Sequence, residues 1–139
     1  MLNIFNIEKQ ASKRVHKFLL HKSTEENIES ANARLVINVI IGKVSIHLYD
    51  QNKFLKTLSI RAIVEFFGKE YDETKVNSLS DYLKKISQEN NIEFSKANIV
   101  ICETKGELKP HLYNENKYVK RLSTIELLTS VSWKNEYRG

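Results

Sequence analysis

Apolar residues at Ile7, Ala11, Val15, Phe18 and Leu19 recur with the spacing of a helix that buries one stripe. A second stripe of the same kind runs through Leu79, Tyr82, Leu83 and Ile86, behind a capping box at Ser78 and Asp81. Asn27 and Asn91 stand where each helix should stop, because Asn tolerates the left-handed C-terminal position. The pattern then changes period. Leu35–Ile41 (LVINVII) is a near-continuous apolar run of strand length, and Lys43–Tyr49 (KVSIHLY) alternates with Val44, Ile46 and Leu48 on one side. Ile99–Lys105 (IVICETK) keeps only its first half apolar and predicts a strand that frays toward an edge or solvent. Pro110 in Glu107–Tyr113 (ELKPHLY) predicts an edge or bulged strand, since proline donates no ladder hydrogen bond.

Two short turns follow, Asp50-Gln51-Asn52 and Asn114-Glu115-Asn116, with Asn expected to supply the left-handed residue. Each leads into a third strand, KFLKTL or KYVKRL. Ser59 and Ser123 are placed to cap closing helices, over Ile60, Ile63, Val64 and Phe67 in the first case and Thr124, Leu127, Leu128 and Val131 in the second. Lys69–Asn77 (KEYDETKVN) reads as a polar connector, and Trp133 offers the tail a means of docking.

These elements occur twice because the chain repeats itself. HLYDQNKFLKTLS, from His47, returns as HLYNENKYVKRLS, from His111, with eight of thirteen residues identical. The offset is 64 residues, and from Leu19 to Ser59 it makes 18 of 41 positions equal to their partners. The predicted fold is therefore α+β: a tandem duplication of a 64-residue α-β-β-β-α unit, with antiparallel sheets and helices packed on one face. The units are residues 4–67 and 68–131, followed by a tail at 132–139. A unit this short is marginal alone, so the copies are expected to share a core or a sheet within one compact domain.

Composition adds bounds. At 139 residues, 41% apolar and 28% charged, the chain has the balance of an ordinary globular domain. No apolar run reaches the ~20 residues of a membrane helix, and MLNIFNIEKQ lacks the basic and apolar segments of a secretory signal. Cys102 is the sole cysteine, which excludes an internal disulfide, suits a reducing, cytoplasmic setting, and reads as a small core residue. The net charge of +5 is uneven. Residues 4–67 carry ten Lys/Arg against six Asp/Glu, whereas residues 68–131 carry ten of each.

No glycine-rich phosphate loop, CxxC pair, HExxH or EF-hand spacing is present, so neither an enzyme nor a cofactor is expected. His47 and His111 are the only repeated candidates for chemistry. A pseudo-two-fold axis could bring them together over a metal, but no other ligand type repeats beside them, and a cross-strand surface role is the stronger reading.

What the repeat does offer is a binding surface. His47, Tyr49, Lys53 and Lys56, and their counterparts His111, Tyr113, Lys117 and Lys120, combine rings that stack on bases with cations that neutralise phosphates. The first helix adds Lys9, Lys13, Arg14, Lys17 and Lys22 on its polar side. The order helix-strand-strand-strand-helix resembles the topology of double-stranded RNA-binding domains, in element order alone. That resemblance implies a lysine cluster at the start of the second helix, where this chain has Ser59-Ile60-Arg61-Ala62 and Ser123-Thr124-Ile125-Glu126. The expected function is non-catalytic binding of nucleic acid or a nucleoprotein through a basic face on the first repeat. A competing expectation comes from composition: small, basic, Asn-, Lys- and Ile-rich chains of this kind are typical of mobile elements, where many block a single host protein, as anti-CRISPR proteins do.

Overall fold

The computed structural model of the chain describes residues 4–59, 73–104 and 107–128. The element order is α1 (Ile4–Glu25), a 3-10 turn (Ser30–Asn32), β1 (Ala33–Ile40), β2 (Lys43–Asp50), β3 (Lys53–Leu58), α2 (Glu73–Glu89), a second 3-10 turn (Phe94–Lys96), β4 (Ala97–Thr104), β5 (Glu107–Asn114), β6 (Lys117–Arg121) and α3 (Thr124–Leu128). The six strands form one antiparallel sheet in the order β3-β2-β1-β4-β5-β6. The protein is thus α+β, and no described helix is long and apolar enough to cross a membrane.

The sheet is closed at its centre by β1 and β4, which pair as Leu35↔Ile101, Val36↔Val100, Ile37↔Ile99 and Asn38↔Asn98. Val36 therefore faces the residue 64 positions ahead of it, and the pairing is symmetric about that contact. The outer ladders keep the same offset. Ala33↔Asp50 matches Ala97↔Asn114, and His47↔Thr57 matches His111↔Arg121.

Both helix ends close alike. Asn27 and Asn91 have φ of 57°, as expected of a left-handed cap. The Ile28 amide donates to the Ser23 carbonyl at 2.8 Å and the Ile92 amide to the Ser87 carbonyl at 2.9 Å, the six-to-one bond of a Schellman motif.

The core lies on one side of the sheet. Leu35, Ile37, Ile46, Leu48 and Leu58 join Ile99, Ile101, Leu112 and Leu122 there, beneath Ala11, Val15, Phe18 and Leu19 of α1 and Leu79, Tyr82, Leu83 and Ile86 of α2. α1 packs on β1 and β5, and α2 on β2, so each helix reaches a strand of the other half. The described helices all sit on this face.

Several expectations are corrected. β4 is a central strand, paired with β1 over Asn98–Ile101; its polar end beyond Ile101 keeps a partner on the β5 side alone, as far as Thr104↔Glu107. β5 is also interior, and its ladder with β4 runs through Pro110↔Ile101 without a bulge. The Pro110 carbonyl accepts from the Leu122 amide at 2.9 Å, so the proline nitrogen faces β6, not β4. β6 ends at Arg121, where no ladder bond is required of Pro110. Helix α2 begins at Glu73, which puts Ser78 inside the helix rather than at its cap. The polar stretch before Ser78 contains no glycine or proline to stop a helix. The left-handed turn residues are Gln51 (φ 53°) and Glu115 (φ 54°), not the asparagines. Their amides are held by the carbonyls of Asn32 and Lys96, each at 2.8 Å. At the last helix the Glu126 amide donates to Ser123 Oγ at 3.3 Å, the expected cap. The closing helix proposed over Ile60–Phe67 and the tail at 132–139 lie outside the described residues.

The β1–β2 turn consists of Ile41 (φ 51°) and Gly42 (φ 73°), a two-residue hairpin of the kind that needs positive φ at both positions. Isoleucine is a poor occupant there, because its branched Cβ crowds the backbone, and it is 96% exposed, so packing returns nothing. Ile41→Asn should stabilise the fold by about 1 kcal/mol. Leu48→Ala and Leu112→Ala, at positions 0% exposed, should each cost roughly 2–5 kcal/mol. Urea unfolding midpoints read all three.

Candidate functional site

No described element packs on the opposite face of the sheet, and the ladders fix what it presents. One row across it reads Thr57, His47, Val36, Val100, His111, Arg121, from β3 to β6. On one side of this row lie Phe54, Tyr49 and Arg34, then Cys102 and Lys109. On the other lie Ser45, Asn38, Asn98, Tyr113 and Tyr118. These rows hold Arg34, Lys109 and Arg121 and no acidic residue.

Aromatic rings gather in two places. Phe54 meets His47 and Tyr49 with ring centroids 5.8 and 5.7 Å apart. Tyr118 meets His111 and Tyr113 at 6.0 and 5.6 Å. Phe54 and Tyr118 are 51% and 53% exposed.

A β-bulge creates this arrangement. In a regular hairpin Lys56 would face His47, but the register shifts by one residue between Leu48 and Tyr49, so Lys56 faces Leu48 and Thr57 faces His47. The shift recurs between Leu112 and Tyr113, bringing Lys120 opposite Leu112 and Arg121 opposite His111. Lys53 and Lys117 pair with Asp50 and Asn114, also on the helix side of the pleat.

The lysines expected beside the His-Tyr pairs are therefore turned away from them. Lys56 instead reaches Glu26, just past α1, at 3.6 Å. In α1, Lys9, Lys13 and Lys17 are exposed while Arg14 and Lys22 are half-buried. Lys22 lies 5.8 Å from the Phe18 ring centre and 3.5 Å from Glu25. Because α1 belongs to the helix layer, its basic stripe and the Tyr49/Tyr113 surface lie on opposite sides of the protein.

The face's own contributors beyond the histidines and tyrosines, namely Arg34, Phe54, Lys109, Tyr118 and Arg121, escaped sequence reasoning. The signal was there in the paired substitution of Phe54 by Tyr118 and in the alternation that places Lys109 beside His111, but placing Arg121 required the bulge.

The two histidines differ. His47, expected as an accessible surface residue, is instead buried at 4% exposure, with Nε2 donating to Asn38 Oδ1 at 3.1 Å and Nδ1 accepting from the Thr57 hydroxyl at 3.0 Å. Burial lowers its pKa below the ordinary 6.5, so the neutral ring fits these bonds. His111 has Arg121 and Cys102 at the equivalent positions, and its buried Nε2 has no hydrogen-bond partner. Its pKa is lowered by burial, then by the charges of Arg121 and Lys109.

With two strands between them the rings are about 14 Å apart, too far to share a metal ion. No cluster of three or more His, Cys, Asp or Glu suited to a metal occurs among the described residues. Cys102, expected in the core, is half-buried on this face, in register with Lys109. Comparison with protein-family models, curated proteins and solved structures gives no match.

The histidines make stability depend on pH. Each binds its proton less readily folded than unfolded, so the unfolded chain takes up more protons as pH falls below 6.5. Stability should be full above that value and decline below it, toward the lowered folded pKa values. Urea midpoints measured between neutral and mildly acidic pH should fall in the native chain. The decline should be shallower in His47→Gln, although that variant starts less stable because Asn38 and Thr57 lose their partner.

Proposed function

We propose that this chain is a non-catalytic binding protein that engages single-stranded nucleic acid, alone or within a nucleoprotein, through the uncovered face of its sheet. One observation carries the reading: two aromatic clusters, each with one exposed ring (Phe54 and Tyr118) beside a half-buried tyrosine, share that face with Arg34, Lys109 and Arg121 and with no acidic residue in their rows. Exposed rings stack on unpaired bases irrespective of sequence, and neighbouring cations neutralise the phosphates. A duplex offers no free base faces to such rings. The regions where a duplex-RNA reader keeps its lysines are Ser59-Ile60-Arg61-Ala62 and Ser123-Thr124-Ile125-Glu126 here, which supply one cation between them.

The basic stripe of α1 faces away from this surface and acts at longer range, drawing an acidic ligand through the net charge of +5. The working surface then belongs to both halves, not mainly to the first. We also infer that the halves are duplicated copies of a 64-residue unit; matched ladders, helix caps and bulges at that offset support this. A reducing, cytoplasmic setting suits the single thiol.

A protein partner is the second reading, favoured by the exposure of Phe54 and Tyr118 together with Ile41 at a hairpin tip. Salt separates the two. Binding of oligo(dT), followed by fluorescence anisotropy, should weaken with a steep log–log dependence on salt. Tyr113→Ala and Tyr49→Ala should each cost about 1–3 kcal/mol of affinity. Charge reversal at Lys13, Arg14 and Lys17 should flatten the salt dependence but leave the tyrosine effects in place. Absence of oligonucleotide binding, with one protein recovered from cells regardless of nuclease treatment, would favour the protein-blocking reading.

A further inference from the structure

The two halves of the uncovered face differ most in chemistry around their histidines. In the first half both ring nitrogens of His47 are committed, to Thr57 and Asn38. In the second half, 64 residues on, these partners are replaced by Arg121 and Cys102, and His111 Nε2 is buried without a hydrogen-bond partner. A buried polar atom left in this state carries its desolvation penalty uncompensated, so a partner gained on ligand binding would be favoured. The chemistry of that partner is set by its neighbours. Arg121 stands directly across from His111 on β6, and Lys109 is two residues before it on the same pleat side of β5. Cys102 and Val100 border it on β4, and Tyr118 closes the β6 side with its ring 6.0 Å away. None of these residues is acidic.

We propose that His111, Arg121 and Lys109 form a phosphate-binding subsite for a single-stranded nucleic acid whose adjacent base stacks on the exposed ring of Tyr118, held edge-on by Tyr113. This inference rests on the nucleic-acid reading above and assigns a site within it. A phosphate oxygen accepts from the exposed Arg121 guanidinium and, where the side chains that close off His111 Nε2 give way to it, from that nitrogen in its protonated form. Burial comes first in holding down the proton affinity of His111, followed by the charges of Arg121 and Lys109, and the anion offsets the latter. The first half has no such subsite, since His47 has no nitrogen to offer and Thr57 no charge. The strand is therefore anchored at the β5–β6 edge and only stacked at the β2–β3 edge. An otherwise two-fold face thereby acquires a preferred strand direction.

The test compares binding of fluorescein-labelled oligo(dT) by the native chain, by Arg121→Thr, which gives the second half the first half's residue, and by Lys120→Thr. The last removes the same charge from the neighbouring residue on the helix side of the sheet. Arg121 is exposed, and circular dichroism checks that the variants are folded. Arg121→Thr should lower affinity about tenfold and reduce the log–log salt slope by about 1, while Lys120→Thr stays within about twofold. In NMR titrations the oligonucleotide should raise the pKa of His111 and leave that of His47 where it was. Native binding that Arg121→Thr and Lys120→Thr weaken equally, or a His111 pKa unmoved by the ligand, would overturn the subsite while sparing the nucleic-acid reading. A native chain that does not bind oligo(dT) overturns both.

Discussion

The antiparallel contact between β1 and β4, centred on Val36 and Val100, is the constraint on which the rest of the structure depends. It turns two three-stranded meanders into one six-stranded sheet and places a local two-fold axis through its middle. A half of this length would be marginal alone. The contact lets α1 pack on β5 and α2 on β2, so that one core serves the whole chain. The same axis sets the distance between equivalent groups. It keeps His47 and His111 apart with two valines between them, and it places the two aromatic clusters at opposite corners of a single surface.

The bulges are the second determinant. An extra residue at Leu55, and again at Val119, lets these apolar side chains join the core while every later residue on the strand changes face. Thr57 and Arg121 are thereby delivered to the histidines, and Lys56 and Lys120 are carried to the helix side. One backbone irregularity thus decides which cation a ligand on the open face can meet. It also accounts for the two fates of one histidine: with Thr57 and Asn38 as neighbours the ring is a structural tie, and with Arg121 and Cys102 it is an unsatisfied polar centre.

Much of this architecture was legible in the residues. Helix stripes, the left-handed Asn27 and Asn91, the Ser123 cap and the alternation of β2 are local signals, and each forms where the pattern places it. What was illegible is non-local. Pro110 reads as an edge residue until it is known which neighbour its nitrogen faces. The polar turns opening α2 read as connector because polarity is not itself a helix stop. The basic face expected from α1 and the His47–Lys56 hairpin divides into two surfaces, because His47 and Tyr49 lie opposite the apolar side that the helices cover and the bulge carries Lys56 to the helix side. His47 and Tyr49 were rightly placed side by side on one face, but their company of Phe54, Arg34 and Thr57 emerges only from the ladders.

The central claim is that the uncovered sheet face, and not the helix layer, is where nucleic acid binds. Backbone amide chemical-shift mapping during titration with oligo(dT) tests it most directly. The account predicts that shifts concentrate on Arg34, Tyr49, Phe54, His111, Tyr113, Tyr118 and Arg121, spanning both halves of the sheet. Shifts confined to Lys9–Lys22 on α1, with those seven amides unmoved, would contradict it.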